Sequence, residues 1–117
     1  MANPERGEVE WIDGWRLRCS MNTRCEIEEA TGRSFVQVVR SMGSVTEPRF
    51  SDLRLVVRFF LEHPSGRDRP TLREVGDMID RAGEKATGDA VGEAIRRGMP
   101  EHFQDEGDDA DPPTADG

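Results

Sequence analysis

Cysteine and histidine are scarce in this 117-residue sequence, and their scarcity argues against several kinds of site. There are two cysteines and two histidines. Cys19 and Cys25 are separated by five residues, a spacing that fits neither a zinc knuckle nor a CxxC redox pair, and both histidines are distant in sequence. We therefore expect no metal and no cofactor, and we interpret both cysteines as small buried apolar residues.

Long apolar runs are also missing. A membrane-spanning helix needs about 20 apolar residues, and the sequence has no uninterrupted apolar stretch of eighteen. The opening MANPERGEVEW contains no apolar run of the kind found in a signal peptide. We therefore expect no membrane association and a soluble protein that stays in the compartment where it is made.

The sequence lacks the motifs of common enzyme classes. It contains neither a glycine-rich phosphate loop nor a Gly-x-Ser-x-Gly nucleophile motif. The adjacent Glu28 and Glu29 would point about 100° apart on a helix, so they do not form an acid–base pair. The sequence predicts a protein that is not an enzyme and has no small-molecule substrate.

The net charge of −8 is concentrated at one end of the chain. Residues 104–117 carry six acidic side chains and no lysine or arginine, which leaves residues 1–103 with 18 acidic and 16 basic side chains. Such a segment cannot bury enough apolar surface to fold, so we predict a disordered acidic tail over residues 101–117. Solubilisation, nucleic-acid mimicry and partner binding all remain open as roles for it.

The N-terminal part has the pattern of a β-hairpin. Apolar residues alternate with glutamates before an Asp13-Gly14 pair and with arginines after it. Asp-Gly favours the type I′ turn, which needs a positive φ at both central positions. We predict a hairpin over residues 7–20, preceded by a disordered segment over residues 1–6.

Helical segments follow, most of them bounded by capping residues and glycine or proline. The predicted fold is α+β, an N-terminal β-hairpin followed by a small bundle of four to five α-helices in one domain over residues 7–100. The predicted helices cover about residues 23–31, 34–42, 52–62, 71–82 and 89–98. Their predicted starts are the capping boxes Thr23-x-x-Glu26, Ser34-x-x-Gln37 and Thr71-x-x-Glu74, and the caps Asp52 and Asp89.

The stretch LRLVVRFFL, from Leu53 to Leu61, has seven apolar residues of nine. A surface helix normally has a single apolar stripe, so this one must be covered on nearly all sides by its own domain or by a partner. Helical geometry assigns one face to the core, namely Leu53, Val56, Val57 and Phe60. The apolar residues off that face are candidate partner contacts, namely Leu55, Phe59 and Leu61.

Trp11 and Trp15 flank the predicted hairpin turn and complete the set of candidate partner contacts. We expect one to cover the core and the other to be exposed, where tryptophan is a common protein-contact residue. The segment from Leu72 to Arg97 could also form a helix-turn-helix. Its second helix carries Asp89 and Glu93 and the body is slightly acidic, so nucleic-acid binding is the weaker interpretation.

The order of these elements resembles that of a family of phage proteins. It is similar to the small tail proteins of bacteriophages and gene transfer agents grouped as tail assembly chaperone-like, one branch of which is labelled tail tube protein. The similarity covers about residues 7–99 and includes the strings EEATG (28–32) and EVGDMI (74–79).

This resemblance implies a non-enzymatic role in tail morphogenesis. The partner would be a phage-type tail or tape-measure protein, or a second copy of the chain. The location would be the cytoplasm of a bacterial host cell or a virion-like particle. The alternative function is that of a small helical DNA-binding protein or regulatory adaptor.

Overall fold

Residues 2–100 are the part of the chain described by the computed structural model, and within them the predicted α+β class is confirmed. The predicted acidic tail over residues 101–117 lies outside the described residues. The strands are β1 (Glu8–Glu10), β2 (Arg16–Arg18) and β3 (Leu61–Glu62). The helices are α1 (Met21–Thr31), α2 (Phe35–Met42), α3 (Phe50–Phe60), α4 (Leu72–Ala82) and α5 (Glu84–Gly98).

The N-terminus is more ordered than the sequence analysis predicted. Pro4–Arg6 is a 3-10 helix, whose first backbone N–H, that of Glu5, donates to the Asn3 side chain at 3.0 Å. Gly7 ends it with a φ of 78°. The prediction of disorder over residues 1–6 is therefore wrong for residues 4–6. An asparagine cap and a proline in the first turn favour the start of a helix, and a glycine after the last residue favours its end.

The hairpin is present, and its turn has the predicted conformation. Asp13 and Gly14 have φ values of 57° and 80°, and the Trp15 N–H donates to the Ile12 carbonyl at 3.0 Å. The Trp11 N–H also donates to the Trp15 carbonyl, at 2.9 Å. Trp11 and Ile12, which follow β1, thus both face Trp15, which precedes β2. This arrangement resembles a β-bulge and shifts the strand pairing by one position.

Two capping boxes were predicted correctly and one was not. Ser34 with Gln37, and Thr71 with Glu74, each form both reciprocal hydrogen bonds of the motif. The predicted box at Thr23 is wrong, since α1 begins at Met21 with Ser20 as its cap and the Thr23 N–H donates to the Ser20 hydroxyl. Serine and threonine three residues apart offer two possible caps, and the earlier one is used.

The central helix is shifted relative to its prediction at 52–62. It begins at Phe50 and ends at Phe60, so Asp52 lies in its first turn and is not its cap. Leu61–Glu62 leaves the helix and pairs with β2, giving an antiparallel sheet in the order β1–β2–β3. A strand of two residues is stabilised by its hydrogen bonds to the neighbouring strand, and the local sequence does not indicate that neighbour.

The last helix is longer than predicted. It begins at Glu84 instead of Asp89, directly after Gly83, whose φ of 95° makes the bend between α4 and α5. Gly88 and Gly92 both lie inside α5. The helix carries them because its inner residues Val91, Ala94 and Ile95 are buried, and that packing compensates for the weak helix propensity of glycine.

Helix α3 lies at the centre of the fold, in contact with α1, α2, α4 and β2, while α5 packs on β1 and β2. The predicted core face of α3 is confirmed, and no described helix is long and apolar enough to cross a membrane.

The two cysteines differ in exposure. Cys19 is buried, which raises the pKa of its thiol to about 11 against a smaller opposing effect of the Arg24 charge. Cys25 is exposed, so its predicted burial is wrong.

Candidate protein-interaction surface

The five predicted partner contacts do not form one exposed surface. Leu61 and Trp15 are buried, with exposed fractions of 1% and 6%. The prediction that Leu61 lies on a helix surface is therefore wrong, whereas Trp15 is the one of the two tryptophans that covers the core. Leu61 is covered because it belongs to the sheet and not to the helix. Trp11, Leu55 and Phe59 are half-buried.

Of the two tryptophans, Trp15 is the one that covers the core, and Trp11 is partly exposed. The bulge places Trp15 on the covered side of the hairpin, with His63 in an edge-on contact at a ring distance of 5.0 Å. The Arg67 guanidinium lies 5.0 Å from the centre of the Trp15 ring, within the range of a cation–π interaction. Partial burial, and then the charges of Arg67 and Arg16, lower the pKa of His63.

An open cleft of about 490 Å³ adjoins Trp15, between the hairpin tip, the loop after β3 and α4. Asp13 and Arg81 form an ion pair across it at 2.8 Å, and it contains both acidic and basic side chains. Among residues 2–100 no group of histidine, cysteine or carboxylate side chains is arranged to hold a metal ion. The Asp13–Arg81 pair joins the hairpin tip to α4, as expected for a structural contact.

A second depression lies between the N-terminal part of α3 and the C-terminal half of α4, and we call it the α3–α4 groove. It has a volume of about 270 Å³. Its lining comes from three helices, namely Phe50, Ser51, Leu53 and Arg54 of α3, Gly76, Ile79 and Asp80 of α4, and Glu84 of α5.

The groove has an apolar centre with one exposed aromatic residue. Phe50 is 60% exposed, whereas Leu53 and Ile79 beside it are 9% and 7% exposed. Complete burial of a phenylalanine side chain is favourable by about 1.5–3 kcal/mol, so covering the exposed 60% of Phe50 would contribute about 1–2 kcal/mol. Val45, in the loop that precedes α3, is 97% exposed but does not line the groove. Single exposed apolar residues are ordinary, but an exposed phenylalanine beside an apolar depression is typical of a contact surface.

The charged residues of the groove are unpaired within the described part of the chain. Arg54, Asp80 and Glu84 line the same depression, yet none of them has an ion-pair partner within 4.0 Å among residues 2–100. The Arg54 Nε is buried and has no hydrogen-bond acceptor there. Its stem passes Gly76, since a Cβ at Gly76 would lie 3.5 Å from the Arg54 Cδ.

Sequence reasoning overlooked Phe50 and Arg54. Phe50 precedes the helix predicted over residues 52–62, and Arg54 is one of the two polar residues within the apolar run Leu53–Leu61. The spacing Phe50–Leu53–Val57 was the available signal, because it continues the apolar stripe of α3 by one turn. It could not reveal that α4 leaves the first residue of that stripe uncovered.

The basic pair at the end of α5 is engaged within the protein. Arg96 and Arg97 both bind the Glu93 carboxylate, at 2.8 and 2.9 Å, which lowers the pKa of Glu93. Arg97 also donates to the Glu8 carbonyl at 2.6 Å. A phosphate would have to compete with these partners, which weighs against a DNA-reading role for this helix.

A partly buried ion pair joins the loop between α1 and α2 to α3. The Arg33 guanidinium donates two hydrogen bonds to the Asp52 carboxylate, at 2.7 and 2.9 Å, and the Asp52 side chain is 5% exposed. These hydrogen bonds lower the pKa of Asp52 against the opposing effect of burial, with further contributions from the Ser41 hydroxyl and the charge of Arg49. The pair belongs to the scaffold and touches neither the cleft nor the groove.

We expect this pair to make stability depend on acid pH. A carboxyl group whose pKa is lowered by folding contributes stability above its unfolded pKa of about 3.9, and that contribution is lost as the pH falls through the lower, folded value. Asp52→Asn should therefore reduce the free energy of unfolding near neutral pH by about 1–3 kcal/mol, and the deficit should shrink below about pH 4.

Urea unfolding of both proteins between pH 7 and pH 3 measures this difference. Asp68→Asn is the matched control, because Asp68 is exposed and forms no ion pair with another described residue. If Asp52→Asn lowers the free energy of unfolding by the same amount at pH 3 as at pH 7, the ionised Asp52 carboxylate does not stabilise the fold through Arg33.

Comparisons of the chain with protein-family models, with curated proteins and with solved structures gave no match in any of the three. The findings on this chain that bear on function are therefore those of its own geometry, above all the α3–α4 groove. The resemblance to small phage tail proteins stays a prediction from the sequence.

Proposed function

We propose that this chain is a non-enzymatic protein-binding protein of phage or gene-transfer-agent tail assembly, acting as a tail assembly chaperone-like protein or minor tail component. The observation that carries the protein-binding part is Phe50, 60% exposed at the edge of the apolar α3–α4 groove. The assignment to tail assembly rests on the resemblance of its elements. The partner would be a tail or tape-measure protein that contributes an apolar side chain to the groove.

The size of the sheet supports the chaperone over the tube subunit. The three strands contain three, three and two residues, whereas a subunit that polymerises into a tube would need longer strands. A small helical body with an uncovered groove between α3 and α4 is suited to hold an apolar segment of another protein until that segment is assembled into the tail.

Binding of defined tail proteins tests this proposal. The purified chain would be titrated by calorimetry with purified tail and tape-measure proteins of phages and gene transfer agents. We expect at least one of them to bind, and Phe50→Ser to weaken that binding by about five- to thirtyfold, since covering the exposed 60% of Phe50 contributes about 1–2 kcal/mol.

Met21→Ser provides the control for this substitution. Met21 is 65% exposed on α1 and does not line the groove, so removing it changes exposed apolar surface without altering the proposed site. Equal loss of binding in the two variants would contradict the assignment of the groove. Failure of every tail and tape-measure protein to bind would contradict the proposed function.

A further inference from the structure

We propose that in the free protein the α3–α4 groove is covered by the same groove of a second copy, related by a two-fold axis. This inference rests on the proposed function, because it names the occupant of the binding surface before a tail partner arrives. This pairing is supported by the charges of Arg54, Asp80 and Glu84 and by the exposed ring of Phe50.

The charges of the groove are suited to pairing with themselves. In a two-fold interface each contact occurs twice, so the surface must be complementary to its own copy. The groove offers a cation, Arg54, and two carboxylates, Asp80 and Glu84, on neighbouring helices. All three are unpaired within the described chain, unlike Lys85 and Asp89 or Arg81 and Asp13, which pair at 2.9 and 2.8 Å.

A two-fold arrangement would satisfy these charges and cover the phenyl ring. Arg54 of each copy would face Asp80 and Glu84 of the other, giving two equivalent clusters on either side of the axis. Phe50, which projects beside Leu53 and Ile79, would then be enclosed between the copies. In the cleft near Trp15, by contrast, Asp13 and Arg81 already pair with each other.

Complementary charge reversal tests the pairing directly. Arg54→Glu would place like charges opposite Asp80 and Glu84 of the second copy, and the double variant Asp80→Arg/Glu84→Arg would place like charges opposite Arg54. We expect each variant alone to dimerise at least about tenfold more weakly than the unaltered chain, since like charges in contact are costly. In a mixture of the two variants every cross-copy contact is attractive again, and a heterodimer should form.

Sedimentation equilibrium of the full chain at rising concentration measures all three states. A dimer of the unaltered chain, monomers of each variant and a dimer in the mixture would support the proposal. A monomer of the unaltered chain, undiminished dimerisation of the variants, or a mixture that stays monomeric would overturn it.

Circular dichroism shows whether each variant is folded, and Phe50→Ser provides a test that does not change the charge of the groove. Should Arg54→Glu fail to fold, Phe50→Ser keeps the test decisive, because Phe50 is mostly exposed. It should weaken the dimer where Met21→Ser does not, and equal dimerisation of these two variants would overturn the proposal.

The two proposals fail separately. A chain that is monomeric yet binds a tail protein through Phe50 retains the proposed function and loses the two-fold pairing. A chain that dimerises through the groove and binds no tail or tape-measure protein retains the pairing and loses the function.

Discussion

Replacing Leu61 with alanine is expected to lower the free energy of unfolding by about 2–5 kcal/mol. Leu61 is 1% exposed and lies opposite Leu17 in the sheet. The smaller side chain would leave a cavity under β3, and the surrounding side chains can relax into it only in part. Chemical denaturation followed by circular dichroism measures the difference, which should appear as a lower urea midpoint.

Leu55→Ala is the matched control, since it makes the same chemical change on the same run of apolar residues. Leu55 is only half-buried in α3, so we expect a loss smaller than that of Leu61→Ala. Equal losses, or a larger one at Leu55, would contradict the position of Leu61 in the sheet. They would favour instead the sequence-based interpretation, in which residues 52–62 form one helix with Leu61 on its surface.

What the sequence predicted correctly was mostly local. The type I′ turn depends on two adjacent residues, Asp13 and Gly14, that accept a positive φ. The capping boxes at Ser34 and Thr71 depend on a side chain and a backbone group three residues apart. The inner face of α3 follows from helical periodicity alone.

What the sequence failed to show depends on distant partners. Leu61 becomes a strand residue because β2 offers it hydrogen bonds across more than forty positions of sequence. The sequence predicts Asp52 as a helix cap because aspartate is common at that position. In the structure its side chain instead binds Arg33, 19 residues away. Local capping preferences are worth about 1 kcal/mol, so a bidentate pair with Arg33 can override them.

The candidate site was missed for the same reason. The sequence shows that Phe50 and Leu53 are apolar, but only the placement of α4 decides which of them is covered. Leu53 is 9% exposed and Phe50 is 60% exposed, although they lie three residues apart on one helix. The unpaired state of Arg54 is likewise a property of the packed helices, since Asp80 and Glu84 reach the groove from two other elements.

Gly98→Ala is expected to destabilise the fold by about 1–3 kcal/mol, because the end of α5 passes against the end of β2 without room for a side chain. A Cβ at Gly98 would collide with the backbone carbonyl oxygen of Cys19 and lie 2.9 Å from the Cys19 Cβ. The oxygen cannot rotate away as a flexible side chain could. The helix or the strand would have to shift, loosening the contact of α5 with β1 and β2.

Gly88→Ala makes the same substitution ten residues earlier in α5 and should have the opposite effect. Gly88 is exposed, and a Cβ there would meet no atom within 4 Å. Alanine is favoured over glycine inside a helix by about 0.5–1 kcal/mol, so the urea midpoint should rise. If the free energy of unfolding falls for Gly98→Ala and rises for Gly88→Ala, then the close approach of Cys19, and not helix propensity, requires glycine at position 98. Stabilisation by both would contradict the tight packing of α5 on β2.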